Sequence, residues 1–152
     1  MKLAEALILR VDRQKRVEQL KQRMVRNAKI QEGDNPAESP EDLMKELEQM
    51  TGELVLLIQR INNTNSSSKI EGNMTLSDAL ATRDILKLKH GVYRELAEAA
   101  SVTQARFSRS EVKFKSTVDI AAIQKQADQL AREHRELDTK IQEANWLVEL
   151  IE

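Results

Sequence analysis

A heptad stripe runs through the last quarter of this chain. Its ten members are separated by alternating steps of three and four residues, and one of the ten is polar. They are Ile120, Ile123, Ala127, Leu130, His134, Leu137, Ile141, Ala144, Val148 and Ile151. Such spacing puts the side chains on one narrow face of an α-helix, and that face needs a neighbouring helix to cover it. The chain is therefore predicted to pack helices side by side, with His134 fixing the register of this seam.

A second uninterrupted stripe lies between residues 43 and 61. Its members are Leu43, Leu47, Met50, Leu54, Leu57 and Ile61. Ser39 is a favourable N-cap and Pro40 suits the first helical position, so a helix is predicted over about 40–62. Only six residues are Gly or Pro, and 3% are aromatic, which is typical of long helices rather than of a sheet.

The first predicted helix, over about 2–28, has an interrupted stripe. Leu3, Val17 and Leu20 fit one face, but Arg10 and Arg13 fall where apolar residues are expected. One interpretation is that the arginine stems lie along apolar surface or that this end faces solvent. The alternative is a polar pocket between helices.

The third predicted helix, over about 76–102, starts with a capping-box-like pair, Thr75 and Asp78. Its apolar face is expected to consist of Ile85, Leu88, Val92, Leu96 and Ala99. A second stripe of this helix is polar, and such a stripe is typical of a solvated surface. It contains Arg83, Lys87, His90 and Arg94.

Three connecting segments separate the helices. Residues 29–40 and 62–74 are rich in turn formers and are predicted as loops. Residues 103–118 lose the helical period and are predicted to be an irregular, extended link that contains Phe107 and Phe114. Asp119 then caps a fourth helix, over about 119–151. The prediction is a single all-α domain over residues 1–152, an antiparallel up-down four-helix bundle with coiled-coil-like heptad seams.

Charge alternates along the chain although the formal net charge is −1. Residues 1–30 carry a local +6, residues 31–60 a local −6, residues 61–116 a local +3 and residues 117–152 a local −4. If each block is roughly one helix, antiparallel neighbours are electrostatically complementary. Each exposed pair contributes only about 0–1 kcal/mol, but together the pairs favour one arrangement of the helices. The other interpretation of the first block is a functional basic arm.

No catalytic motif stands out. The chain has no cysteine, no nucleophile elbow and no phosphate-binding glycine loop. The two histidines are 44 residues apart, and neither completes the Glu-x-x-His signature of di-iron bundles. His134 and Asp138 form an i, i+4 pair, for which a ligand or proton-transfer role is the alternative to a seam residue. We therefore predict no metal and no cofactor, and we favour a non-enzymatic role.

Membrane and nucleic-acid binding are both weakly indicated. No stretch approaches the roughly 20 apolar residues that cross a bilayer, and the first residues do not resemble a signal peptide, so a cytoplasmic protein without membrane contact is expected. Cations of the first helix, together with the basic, Phe-containing segment 103–118, suit a single-stranded nucleic acid. The acidic second helix argues against that partner.

Six phrases resemble the septicolysin-like family of small bacterial proteins over essentially the whole chain. They are KRVEQLK at 15–21, QEG with PAE at 31–38, RINNTN at 60–65, RD at 83–84, RSEVK at 109–113 and IQEANW at 141–146. The resemblance implies a bacterial helical protein of unestablished role and brings no catalytic residues. The family name suggests a cytolysin, but the sequence has no secretion signal or insertable segment, so lytic activity is not expected.

The polar residues of these phrases, with the only tryptophan, are candidates for ligand binding or subunit contacts. They are Gln31, Glu32, Arg83, Asp84, Arg109, Glu111, Gln142, Asn145 and Trp146. In an antiparallel bundle the first two would meet Arg109 and Glu111 at one pole, and Arg83, Asp84, Gln142 and Asn145 would gather near the other.

Three functions follow from the sequence. The first is a non-enzymatic, self-associating interaction or scaffold protein, because two strict heptads provide more seam than a monomeric bundle needs. The second is a small-molecule or anion-binding protein, with or without catalysis, whose site is polar and lies between helices. The third is single-stranded nucleic-acid binding through the first helix and residues 103–118.

Overall fold

The computed structural model describes residues 1–101 and 113–152, and about three quarters of these residues are helical. The mostly helical architecture is as predicted. The described elements are α1 Leu3–Arg26, α2 Pro40–Ser67, β1 Lys69–Glu71, β2 Met74–Thr75, α3 Leu76–Ser101 and α4 Ile120–Leu147. These residues form two compact units, and α4 contributes to both. The expectation of a single domain over residues 1–152 stays a prediction.

The first unit comprises residues 1–68 and 144–152. Its helices α1 and α2 run antiparallel, because Arg23 near the end of α1 pairs with Glu38 and Glu46, whereas Arg13 pairs with Glu53 further along α2. Apolar side chains from both helices form the core of this unit. The buried ones include Leu3, Ala6, Leu20, Leu43, Leu57 and Ile61.

The turn into α2 follows its sequence signals. The Ser39 hydroxyl accepts a hydrogen bond from the Asp42 N–H at 3.5 Å, and Pro40 occupies the first turn. Asn27 closes the preceding loop, since its side chain accepts from the Glu38 N–H at 3.1 Å and donates to the Arg23 carbonyl at 2.8 Å. The predicted start of the second helix is therefore confirmed.

Helix α2 continues five residues beyond its predicted end at residue 62. The predicted loop 62–74 was wrong for residues 62–67, because the hydroxyls in this polar run hydrogen-bond back to carbonyls of the helix. Thr64, Ser66 and Ser67 each donate to the carbonyl four residues earlier, at 2.7–2.9 Å. These serine and threonine residues therefore form the last turns of α2 and do not end it.

Helix α4 ends at Leu147, four residues before its predicted end. Residues 148–150 instead join the start of the chain, where the Leu3 N–H donates to the Val148 carbonyl at 2.9 Å and the Leu150 N–H donates to the Met1 carbonyl at 2.8 Å. Lys2 and Glu149 form an isolated antiparallel bridge. This backbone pairing replaces the last turn of the predicted helix.

The second unit comprises residues 69–143. Its hairpin pairs β1 with β2, Lys69 opposite Thr75, and Gly72 supplies a positive φ of 56° at the turn. Thr75 and Asp78 then start α3 with the predicted capping box, because each backbone N–H donates to the other's side chain at 3.1 Å. At the start of α4, Asp119 accepts from the Ala122 N–H at 3.1 Å.

The heptad stripe of α4 is the sheltered side of that helix. Nine of its ten members, Ile120 through Val148, are buried or half-buried. The tenth, Ile151, lies past the end of the helix and is exposed, and Leu150 is buried in its place.

Candidate functional site

Helix α3 shelters a stripe of mixed character. Its buried and half-buried residues recur at steps of three and four, as in a heptad, and the stripe includes three polar side chains, those of Arg83, His90 and Tyr93. The members of the stripe are Leu76, Ala79, Arg83, Leu86, His90, Tyr93, Ala97 and Ala100. The expectation that the stripe through Arg83 and His90 is solvated was wrong for these two residues, although Lys87 and Arg94 are exposed.

The opposite side of α3 carries the apolar residues that were expected to be its core face. All six side chains of this outer stripe are exposed: Ala81, Ile85, Leu88, Val92, Leu96 and Ala99. Ile85, Leu88 and Val92 keep 54%, 63% and 58% of their surface open. At 100° per residue, the outer stripe lies nearly opposite the sheltered one. The expected core face of α3 therefore points away from the core of its own unit.

A shallow groove of about 460 Å³ lies along the outer stripe. It forms at Gly91, where an added Cβ would have no atom within 4 Å. Leu88 and Val92 supply its apolar wall, and Asp84, Lys87 and Glu95 supply charges at its rim. The arrangement can receive an apolar side chain from a facing helix.

A polar cluster sits between α3 and α4 inside the second unit. The half-buried Arg83 donates from Nη1 to Oδ1 of Asp138 at 2.8 Å, and its Nε lies 3.6 Å from Oδ1 of Asp84. The hydrogen bond from Arg83 holds the pKa of Asp138 below its usual value, with smaller contributions from a Gln142 hydrogen bond and the charge of His134, while burial opposes them. Asp138 is thus the centre of the cluster.

The structure brings together part of the second predicted group of site residues. Arg83 contacts both Asp84 and Asp138, and Gln142 hydrogen-bonds to Asp138. The sequence identifies Asp138 only as the i, i+4 partner of His134, and its spacing of four residues before Gln142 is the further signal that links it to this group. His134 itself is half-buried in the stripe of α4, and its role in fixing the register of that stripe stays a prediction.

The remaining candidates are not assembled by the described residues. Gln31 and Glu32 are exposed in the loop between α1 and α2, and Arg109 and Glu111 lie outside the described residues, so the first pole stays a prediction. Asn145 is buried and the neighbouring Trp146 is exposed, both in the first unit.

Replacing Asp138 with asparagine removes the ion pair with Arg83 and is expected to lower the free energy of unfolding at neutral pH. The expected loss is only about 0.5–1 kcal/mol, because the ion pair is partly exposed to water. The folded pKa of Asp138 lies below the unfolded one, so its contribution is present above the unfolded pKa and is lost as pH falls through the folded pKa. The stability difference between wild type and Asp138→Asn should therefore begin to shrink as the pH falls below about 4. Urea unfolding at pH 7, 4 and 2.5 measures this, and Glu143→Gln, an exposed carboxylate on the same helix, is the control. A gap that stays constant with pH would contradict the assignment.

The polar middle of α1 faces α2 rather than solvent. Arg13 donates from Nη1 to the Glu53 carbonyl at 3.2 Å and pairs with its carboxylate at 3.4 Å. Here α1 and α2 enclose a groove of about 470 Å³, whose polar lining includes Asp12, Arg13, Arg16, Gln19, Arg23, Glu46, Gln49 and Glu53. The half-buried Arg10 has a buried Nε with no hydrogen-bond partner among the described residues. This geometry favours the polar-pocket interpretation of the interrupted stripe.

The arginines of that groove are already matched to carboxylates. The Arg23 guanidinium contacts Glu38 at 2.6 Å and Glu46 at 3.4 Å. Its hydrogen bond lowers the pKa of Glu38, and the pKa of Arg23 is raised in return. Arg16 likewise pairs with Asp12 at 3.0 Å. An anion entering the groove would have to compete with these pairs.

Comparisons with known proteins place the chain in a family. Residues 10–150 match the model of DUF6847, described as a family of unknown function. The chain belongs to DUF6847. The chain is also similar to a solved structure, the crystal structure of a functionally unknown conserved protein from Corynebacterium diphtheriae, with a TM-score of 0.92 and 46% sequence identity over 99% of each chain. A comparison with curated proteins finds no match. Neither description assigns an activity, so the function of this DUF6847 member is argued from its geometry.

Two further properties bear on membranes and metals within residues 1–101 and 113–152 of the DUF6847 chain. No helix in these ranges is both long and apolar enough to cross a membrane. Within the same ranges, no group of three or more His, Cys, Asp or Glu side chains is arranged to hold a metal ion.

Proposed function

We propose that this protein is a non-enzymatic helical scaffold that associates with further copies of itself through the outer stripe of α3. The observation that carries the proposal is the exposure of Ile85, Leu88 and Val92 on the side of α3 away from its sheltered stripe. A helix that is apolar on opposite sides is typical of a helix covered on both. Contiguous exposed apolar surface marks interaction sites, because covering it gains about 25 cal/mol per Å².

The polar cluster supports a structural rather than a catalytic role. A general acid or base works best with a pKa near the operating pH, which for a carboxyl requires a raised value. Asp138 has a lowered pKa, since its charge is stabilised by Arg83. A carboxylate held in this way orients α3 against α4 and does not exchange protons near neutral pH.

The proposal includes the finer architecture, an antiparallel up-down four-helix bundle with coiled-coil-like seams. Its support is that every helix has a sheltered stripe at steps of three and four. In α1 the stripe runs through Leu3, Ala6, Arg10, Arg13, Val17, Leu20 and Met24. In α2 it runs through the six predicted positions and on to Thr64. Cytoplasmic localisation and the resemblance to the septicolysin-like family stay predictions.

The test is the oligomeric state of a charge-insertion variant. Leu88→Glu with Val92→Glu places two carboxylates in each copy's contact surface, where burying them without partners is costly. Native mass spectrometry and sedimentation should show an oligomer for the wild type. For the double variant they should show at least an approximately 100-fold weaker association with an unchanged helical circular dichroism spectrum.

The matched control is Val55→Glu with Leu56→Glu, two exposed apolar side chains on α2. This control should associate as the wild type does. A wild type that remains monomeric at all accessible concentrations would overturn the proposal, and so would equal dissociation of both double variants.

A second candidate function is binding of a small anion in the groove between α1 and α2. The observation that favours it is the presence of Arg13, Arg16 and Arg23 along one groove. The same wild-type spectra test it, because this function predicts a stoichiometric adduct that Arg13→Gln loses. Single-stranded nucleic-acid binding stays a prediction of the sequence. Three cationic side chains of α1 that this function would use, Arg13, Arg16 and Arg23, are ion-paired within the first unit. These ion pairs weaken their attraction for phosphates.

A further inference from the structure

We infer that the outer stripe of α3 pairs with the same stripe of a second copy, with the two α3 helices parallel and in register. This inference rests on the proposed function and adds the partner element, its direction and its register. The stripe provides three independent features that select this arrangement: the residue types in its seam, the charges at its edges and the groove at Gly91.

The residue types in the seam favour two parallel strands. In heptad notation Ile85 and Val92 occupy successive a positions, and Leu88 occupies the d position between them. β-Branched residues at a combined with leucine at d favour parallel dimers, because each shape suits the packing at its own position. Ala81 continues the stripe as the preceding d residue, and Glu95 is a charged residue at the following d position.

The charges at the edges favour the same direction. Asp84 occupies a g position and Lys89 the next e position, and both are exposed. In a parallel pair a g residue meets the e residue five positions later on the other helix, so Asp84 meets Lys89 of the second copy. The two-fold symmetry of a dimer repeats this contact. In an antiparallel pair g residues meet g residues and e residues meet e residues, so Asp84 would not meet Lys89 of the second copy and this attraction would be lost.

The groove at Gly91 fits the same register. Gly91 occupies the g position after Asp84, and its counterpart five residues later is Leu96 of the second copy. Gly91 leaves open space between Leu88 and Val92, and Leu96 is a large, exposed apolar side chain at the edge of the stripe. The same parallel register therefore places Asp84 beside Lys89 of the second copy and the groove at Gly91 opposite Leu96 of the second copy.

The absence of cysteine from the chain allows a direct test of the register. Three single variants, Ile85→Cys, Leu88→Cys and Val92→Cys, are oxidised under mild conditions, with the exposed Leu56→Cys on α2 as control. In a parallel, in-register pair each a or d residue faces its own counterpart, within the roughly 4.4–6.8 Å between Cα atoms that a disulfide requires. All three variants should form covalent dimers, and the control should not.

A charge exchange tests the edges independently. Asp84→Lys and Lys89→Asp should each weaken dimerisation about 10-fold at low salt, because each places like charges together twice, and the double exchange should restore it. If Leu88→Glu with Val92→Glu weakens the dimer but at most one cysteine position crosslinks, the α3 helices are not parallel and in register, and this inference fails while the proposed function stands. If the dimer uses another face, or if the wild type is monomeric, both fail. Weakening without restoration in the double exchange would also overturn the parallel register.

Discussion

Replacing Ile61 with alanine is expected to lower the free energy of unfolding by about 2–5 kcal/mol. Ile61 is 1% exposed, in the stripe by which α2 contributes to the core of the first unit. The loss combines the transfer free energy of the removed carbons with the cavity that the surrounding side chains fill only partly. Urea unfolding should show a lower midpoint with an unchanged slope, measured at one protein concentration because association also stabilises the folded state.

The control for Ile61 is Leu56→Ala on the same helix. Leu56 is exposed, so its truncation removes little packing and should change stability by no more than about 0.5 kcal/mol. Both substitutions place a better helix former in α2, which isolates burial as the difference between them. Equal losses for the two variants would show that the stripe of α2 is not the buried side.

Replacing Thr64 with valine is expected to cost about 1–3 kcal/mol, a large effect for the loss of one oxygen atom. The Thr64 side chain is fully buried, donates to the Arg60 carbonyl at 2.7 Å and accepts from the Ile151 N–H at 3.0 Å. Valine keeps the β-branched shape but leaves the Ile151 N–H without this acceptor. Hydrogen exchange should therefore accelerate at Ile151 and at the neighbouring amides that pair with the start of the chain.

Thr139→Val provides the comparison for Thr64. Thr139 is exposed on α4, and its hydroxyl also donates to the carbonyl four residues earlier, at 2.9 Å. Losing that hydroxyl leaves both partners open to water, so the expected change is within about 0.5 kcal/mol. Unchanged exchange at Ile151 in Thr64→Val would mean that this hydroxyl does not hold the last residues.

The contacts of residues 147–151 explain why Thr64 has this influence. Lys2 donates from Nζ to the Leu147 carbonyl at 3.1 Å, at the end of α4 where helical carbonyls lack partners. Arg60 donates from Nε to the Ile151 carbonyl at 3.1 Å. Thr64 supplies the buried member of this set, which ties the end of the chain to α1 and α2.

Local signals in the sequence account for much of the fold. The stripes of α2 and α4 follow from spacing alone, because a 3-4 repeat leaves few alternatives to one covered helical face. The starts at Ser39, Thr75 and Asp119 are equally readable, since an N-cap depends on residues within three positions of one another. The end of α4 is less predictable because the groups that pair with residues 148–150 lie at the start of the chain.

The candidate site was only partly predictable for the same reason. The sequence predicts Arg83 as a site residue, but its partner Asp138 is 55 residues away, and no local pattern links the two. The sequence also shows that the outer stripe is apolar, and hydrophobicity alone predicts that it is buried, whereas its side chains are exposed. The order of residues in α3 does not indicate that the stripe with Arg83 and His90 is sheltered. Nor does it indicate that Ile85, Leu88 and Val92 remain exposed.

The presence of long helices, their starts and a stripe on each that needs covering can therefore be read from the order of residues, because these features depend on neighbours within one or two turns. Which side of α3 is sheltered and where α4 ends depend instead on contacts that form only in the folded protein. An arginine can be sheltered when a carboxylate from another helix compensates its charge, and a helix stops when its backbone finds partners elsewhere in the chain. Both conditions are set by residues distant in sequence, as the pairs Arg83–Asp138 and Leu3–Val148 show.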